Sequence, residues 1–272
     1  MKQRLQWEIA SKIPNRRRLL FLGRVGLAVA VLWALKRLVH DLHLDVLRID
    51  PLFIALILST VVLLTVLLQG VLSDFRESER LPAEAATILE MLSLELLAIP
   101  VHNSQAQISQ PQRSVTCLAE ALLDWLLAKI STAQLHQAYQ DCFRQTVAAT
   151  VLLDGQPVLQ GRLMQQLESL LRIVNRINTI RETSFVASVY WLAWLGTALT
   201  CAGLIFTQLD GPLESNVFMV VVSFILLFLV FLISDLDNPF GFNDVNSAED
   251  VCLDPLLYCI QRLRLAPQIF EQ

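Results

Sequence analysis

The chain has 272 residues, 54% of them hydrophobic and 17% charged, with a formal net charge of −4. Soluble domains carry about 25% charged residues, and nucleic-acid binding draws on a basic excess, so composition argues against two soluble domains and against a nucleic-acid partner. What basic charge there is must be explained by where it sits.

Lys2, Arg4, Lys12, Arg16, Arg17 and Arg18 come first, directly before an apolar stretch at residues 19–35. Crossing a bilayer takes about 20 apolar residues. Three further stretches meet that length, at residues 52–72, 189–206 and 217–233. Arg24 lies near one end of the first span, where it snorkels to the headgroups. A cleaved signal peptide is set aside, because charged residues follow Leu35 with no small-residue cleavage site. Cytoplasmic flanks are enriched in lysine and arginine. The amino-terminal segment is rich in them and the second outer loop, residues 207–216, has none, so both termini are expected in the cytoplasm. The first outer loop, residues 36–51, carries Lys36, Arg37 and Arg48 and weakens the bias without reversing it. Trp191 and Trp194 fall near the inner end of the third span, as interfacial rings do. Arg16, Arg17 and Arg18 read first as an orientation anchor to an anionic leaflet.

Residues 73–188 read as a cytoplasmic helical insert. Ile88, Leu89, Leu92 and Leu96 repeat at helical spacing, and Pro82 suits the first turn of a helix over residues 81–98. Residues 102–113, polar and holding Pro111, break the pattern and are expected to form a loop. Helices follow over residues 115–130, 133–153 and, after Asp154-Gly155-Gln156-Pro157, 158–181, the last running on into the third span. The expected fold is all-α: a basic segment (1–18), spans one and two (19–73), the insert (74–187), spans three and four (188–234) and a cytoplasmic tail (235–272), assembled as a symmetric oligomer around one pore.

Nine glycines leave little room for a phosphate-cradling loop, and no G-x-S-x-G, H-E-x-x-H or dinucleotide fingerprint is present, so no enzyme is expected. The five cysteines form no C-x-x-C pair, which argues against a disulfide framework or zinc site. His40 and His43 flank Asp41 but lack the further ligands zinc requires. Asp74, Glu77, Glu79 and Glu84, interleaved with Arg76 and Arg80, read as a solvated helix face with pairs such as Glu77 with Arg80.

The fourth span is followed by Asp235, Asp237, Asn238, Pro239, Phe240 and Gly241. Asn238-Pro239 stops the helix; Phe-Gly needs another reason. The segment resembles the acidic-Asn-Pro-Phe-Gly motif of bestrophins and bestrophin-like membrane proteins at the same point of their topology. Gly70 followed by Asp74-Phe75-Arg76 resembles the inner end of that family's pore helix, and Arg176, Arg181, Thr183 and Tyr190 are similar in kind to its entry into the third span.

The resemblance implies a homopentamer in a lipid bilayer, with no cofactor, that passes small inorganic ions along an axis lined by the second spans: chloride or another monovalent anion foremost, as in many members, with sodium or other cations passed by some bacterial ones. Aligning Gly70 with the family's pore glycine places Leu63, Leu67 and Val71, four apart on one helix face, at an apolar neck. The rival reading is a non-conducting membrane-anchored scaffold whose cytoplasmic helices bind a protein partner. An ion-coupled transporter lacks support, since spans two to four hold no charge.

From Ser234 to Asp254 the chain is acidic, with no lysine or arginine. The resemblance invites a calcium site at Asp244, Asn246, Glu249 and Asp250, although calcium takes six to eight oxygens and the spacing excludes an EF-hand. The electrostatic alternative is that these residues dock the basic amino-terminal segment or draw cations to the pore mouth.

Overall fold

The computed structural model describes residues 2–44, 46–48, 50–102, 107–151, 156–182, 187–208, 212–241 and 250–270. In chain order the elements are α1 (Lys2–Asp41), β1 (Leu47–Arg48), α2 (Pro51–Leu97), α3 (Ile99–His102), α4 (Ser109–Leu126), α5 (Thr132–Thr150), α6 (Pro157–Glu182), α7 (Ala187–Phe206), β2 (Thr207–Gln208), α8 (Pro212–Leu236) and α9 (Asp254–Phe270). They form two compact units: a spanning unit of Met1–Phe75 with Thr183–Asp250, and a second unit of Arg76–Glu182 with Val251–Gln272. The division falls inside α2, and the tail past Val251 belongs with the insert.

In the spanning unit, Arg17–Asp41, the α2 helix, Ser188–Phe206 and Glu214–Leu236 are long and apolar enough to cross a membrane, and only 17% to 33% of each span's most apolar stretch is buried. Most of their apolar surface therefore faces outward, as suits helices solvated by lipid. The helices meet through small and hydroxyl residues. Thr60 of α2 and Thr200 of α7 hydrogen-bond at 3.1 Å, and Gly196 lies beside Thr60. Gly203 allows close approach, because a Cβ there would meet the Phe53 ring and force it to shift. Leu64, Leu67, Val71 and Phe75 of α2 pack with Leu226, Val230, Ile233 and Leu236 of α8.

Lys36 is not in an outer loop. It lies within α1, 6% exposed, and its Nζ donates to the Leu204 and Thr207 carbonyls at 2.9 and 2.8 Å. These carbonyls close α7, whose negative dipole end suits a cation. Beyond α1, His43 takes a left-handed φ of 55°, with bonds from His43 N to His40 O at 3.0 Å and Leu44 N to Val39 O at 3.0 Å. This is a Schellman ending, a conformational role for His43. Among the described residues no group of His, Cys, Asp or Glu is placed to hold a metal ion. Among the described residues the one departure from an all-α unit is the parallel pairing of β1 with β2, Leu47 beside Thr207.

The second unit is a helical bundle packed on leucines, among them Leu89, Leu92 and Leu96 of α2, Leu118 and Leu122 of α4, and Leu163, Leu167 and Leu170 of α6. Pro82 does not begin a helix; it sits inside α2. The apolar series Leu81, Ala85, Leu89 and Leu92 is buried on both sides of it, so packing outweighs the lost hydrogen bond. The loop expected up to residue 113 is shorter, because Pro111 is tolerated in the first turn of α4 and Gln112 is buried in mutual hydrogen bonds with Ser93 at 2.8 and 2.6 Å. Two residues past the end of α4, Ala128 takes a φ of 54°, and Lys129 N bonds to Asp124 O at 2.8 Å. Ser131 and Gln134 then form a capping box that starts α5. The expected run of α6 into the third span falls at residues 183–186, outside the described residues.

Candidate functional site

The upper part of α2 has two unlike faces. Thr60, Leu64, Leu67, Val71 and Phe75 are buried. On the opposite side Ala55, Ser59, Val62, Val66, Gln69 and Ser73, spaced three and four apart, are all exposed. Leu67 and Val71 are 2% and 1% exposed and belong to the cluster with α8, while Leu63 packs half-buried against it. Of the three residues expected at a neck, Leu67 and Val71 thus pack against α8 of their own chain and Leu63 lies beside them. Leucine surrounds this helix, so apolar spacing alone did not say which face packs.

The open face differs from the other outward faces of this unit. Helix α7 presents Trp191, Leu192, Leu195 and Leu199, and α8 presents Val217, Phe218, Val221 and Ile225, all large and apolar. On α2, Val62 and Val66, 62% and 63% exposed, lie between Ser59 on one side and Gln69 and Ser73 on the other. Bare hydrocarbon is a poor solvent for a serine or glutamine side chain.

After α8 the motif resolves into a turn. Gly241 N bonds to Asn238 O at 3.1 Å, with Pro239 second and Gly241 fourth, as in a type I turn. Phe240 is buried, anchoring the turn, and a Cβ on Gly241 would press on the Asn238 amide at 2.9 Å. That accounts for the Phe-Gly that a helix stop alone left unexplained. Tyr190 of α7 donates to the Ile233 carbonyl at 3.4 Å, beside the Asp237 carboxylate. Asp235 is half-buried near the end of α8.

Of the residues considered for calcium, Asp244, Asn246 and Glu249 lie outside the described residues. Asp250 faces Arg17, whose guanidinium reaches its carboxylate at 2.5 Å. That charge is engaged by the basic segment before the first span.

In the second unit, Arg176 holds Glu77 through two hydrogen bonds of 2.7 Å each, and Arg80 pairs with Glu84 at 3.2 Å. The expected Glu77–Arg80 pair is corrected: a forked guanidinium on α6 binds both carboxylate oxygens at once. Arg181 stacks on Trp125 at 4.9 Å and donates to its carbonyl at 3.1 Å. Thr183 lies outside the described residues. Arg162 stands 2.8 Å from the carboxylate of the buried Glu95, an ion pair that sequence reasoning missed.

No family model matches the sequence, and no curated protein matches it. Solved structures do. A mutant form of a bacterial bestrophin homologue from Klebsiella pneumoniae superposes with a TM-score of 0.71 at 16% identity, over 90% of this chain and 97% of that chain. The structure of that homologue phased on zinc gives 0.67 at 16% identity, over 91% and 97%. A second mutant form gives 0.65 at 17%, over 92% and 97%. The class is thus an all-helical membrane protein with four apolar spans. Its fold is bestrophin-like.

Proposed function

We propose that the chain is one subunit of a homo-oligomeric channel in which the open face of α2 lines a path for small monovalent ions. The observation that carries this reading is the set of polar residues Ser59, Gln69 and Ser73 flanking Val62 and Val66 on an exposed face of a spanning helix. Gathered around an axis, hydroxyl and amide groups that lipid would leave unsatisfied meet water instead. Val62 and Val66, four apart, then form the apolar constriction, in place of the residues first expected there. Likeness to a bestrophin homologue supports five copies, passive transport and both termini in the cytoplasm. Chloride is the ion proposed: residues 51–73 carry no charge to repel it, and the hydroxyl and amide N–H groups offer it donors.

Purified protein in a planar bilayer is expected to give discrete currents that reverse near the chloride potential under a salt gradient. Val66→Ser should raise unit conductance, whereas Leu67→Ala should weaken the fold and leave the conductance of intact channels alone. A silent, monomeric preparation would instead support the scaffold.

A further inference from the structure

Residues 51–73 hold no charge, and α2 continues unbroken through Arg76, the next basic residue, which is exposed. Arg76 stands seven residues past Gln69. At about 100° per residue that is two turns, ~20° from being directly in line, and ~10 Å further along the helix axis. The open face of α2 therefore ends in a guanidinium. The neighbouring charges of α2 are balanced or turned away. Glu77 is held by Arg176, and Arg80 pairs with Glu84 at 3.2 Å. Asp74, which has a partner of its own, lies about 100° round the helix from Ser73, and Glu79 lies about 120° round it in the other direction. Arg76 has no hydrogen bond or ion pair among the described residues, so its charge is uncompensated.

We propose that Arg76 fixes the charge selectivity of the path along this face, an inference that rests on the channel reading above. Serine and glutamine offer acceptor oxygens as well as donors, so Ser59, Gln69 and Ser73 alone discriminate weakly between an anion and a cation. A guanidinium discriminates by sign. Gathered about an axis, the Arg76 side chains of five subunits make a ring of positive charge that concentrates small anions at this end and holds off cations, while Val62 and Val66 control passage by dewetting. Arginine stays charged throughout the ordinary pH range, so the selectivity depends on salt and not on pH.

The test uses the full chain in planar bilayers, with reversal potentials read under a sodium chloride gradient. At about 0.1 M salt, where the Debye length is about 10 Å, five charges near Gln69 favour an anion and disfavour a cation by about threefold each, so Arg76→Gln should lower the chloride-to-sodium permeability ratio about tenfold. At about 1 M salt the difference between wild type and variant should close. Arg76→Lys should keep the wild-type ratio, and Arg113→Gln, which removes an exposed arginine from α4, should leave it unchanged. If Arg76→Gln fails to assemble, Arg76→Cys channels treated with a cationic or an anionic methanethiosulfonate should shift the ratio in opposite directions, with treated wild type correcting for the exposed Cys117 and Cys252. A wild-type preference for sodium, a ratio equal in wild type and Arg76→Gln, or a shift of the same sign with both reagents would overturn the inference. If Val66→Ser still raised conductance, the α2 path would stand without it. Silent wild type, or currents indifferent to both Val66→Ser and Arg76→Gln, would remove the path and the inference together.

Discussion

Leu226 in the spanning unit and Leu89 in the second unit are both fully buried, yet their helices present different things to the outside. On α8 the outer surface holds Val221, Phe224 and Ile225; on the second unit it holds Arg80, Glu84 and Arg172, with Arg80 and Arg172 each in ion pairs one turn apart. The second unit gathers leucine against water and fixes its helices with guanidinium–carboxylate forks. In the spanning unit lipid is as apolar as leucine, so adhesion depends on close approach at Gly203, on threonine pairs and on Lys36 bridging backbone carbonyls. The same residue type therefore contributes differently on the two sides of the division.

The largest effect expected is at Leu89. Leu89→Ala loses both the transfer and the cavity contributions, about 3 kcal/mol, measurable by denaturant unfolding of the second unit. Leu226→Ala in bilayer or micelle should cost about half as much, because only packing is lost; equal costs would break the comparison. Next comes Gly203→Ala, which drives a methyl into the Phe53 ring and should lower stability by about 2 kcal/mol, read as an earlier thermal transition of the detergent-solubilised protein. Smaller again is an alkaline effect at Cys142, whose thiol burial pushes up to about 11 from an ordinary value of 9.0. A raised folded value means the neutral thiol's contribution is whole below pH 9 and lost as pH climbs toward 11, about 1 kcal/mol by pH 10. Cys142→Ala should remove that part of the decline between pH 8 and 10. Last, Ala128→Gly relieves a left-handed residue at the end of α4 and should add about 0.5 kcal/mol, seen as a slightly later melt.

The spans were legible because their signal is local: length and hydropathy place residues 52–72 and 217–233 in lipid without knowledge of any neighbour. The turn at Asn238–Gly241 was legible as a motif, and its reason emerged once Phe240 was seen buried. What escaped sequence reasoning shares one cause, a partner far along the chain. Lys36 reads as a loop cation until carbonyls 168 and 171 residues away are brought to it. Glu77 finds Arg176 across 99 residues in place of Arg80 three away. Leu67 and Val62 are equivalent in composition, and only the position of α8 decides that one is core and the other open. Pro82 was given its usual local meaning, a helix start, which the packing of α2 overrode.

Helix α9 is made after the fourth span, yet its seat lies among helices made before the third. Arg262 pairs with Glu90 and Arg264 with Glu120, the latter at 2.8 and 2.6 Å, while Leu256, Cys259, Ile260 and Leu263 fill the apolar side. During synthesis the second unit must therefore wait, its α2 and α4 surfaces uncovered, until the last two spans have been inserted and the chain has returned. Completion of this unit thus reports that insertion has succeeded, and a chain arrested before residue 254 would present an open leucine seat to whatever surveys nascent membrane proteins.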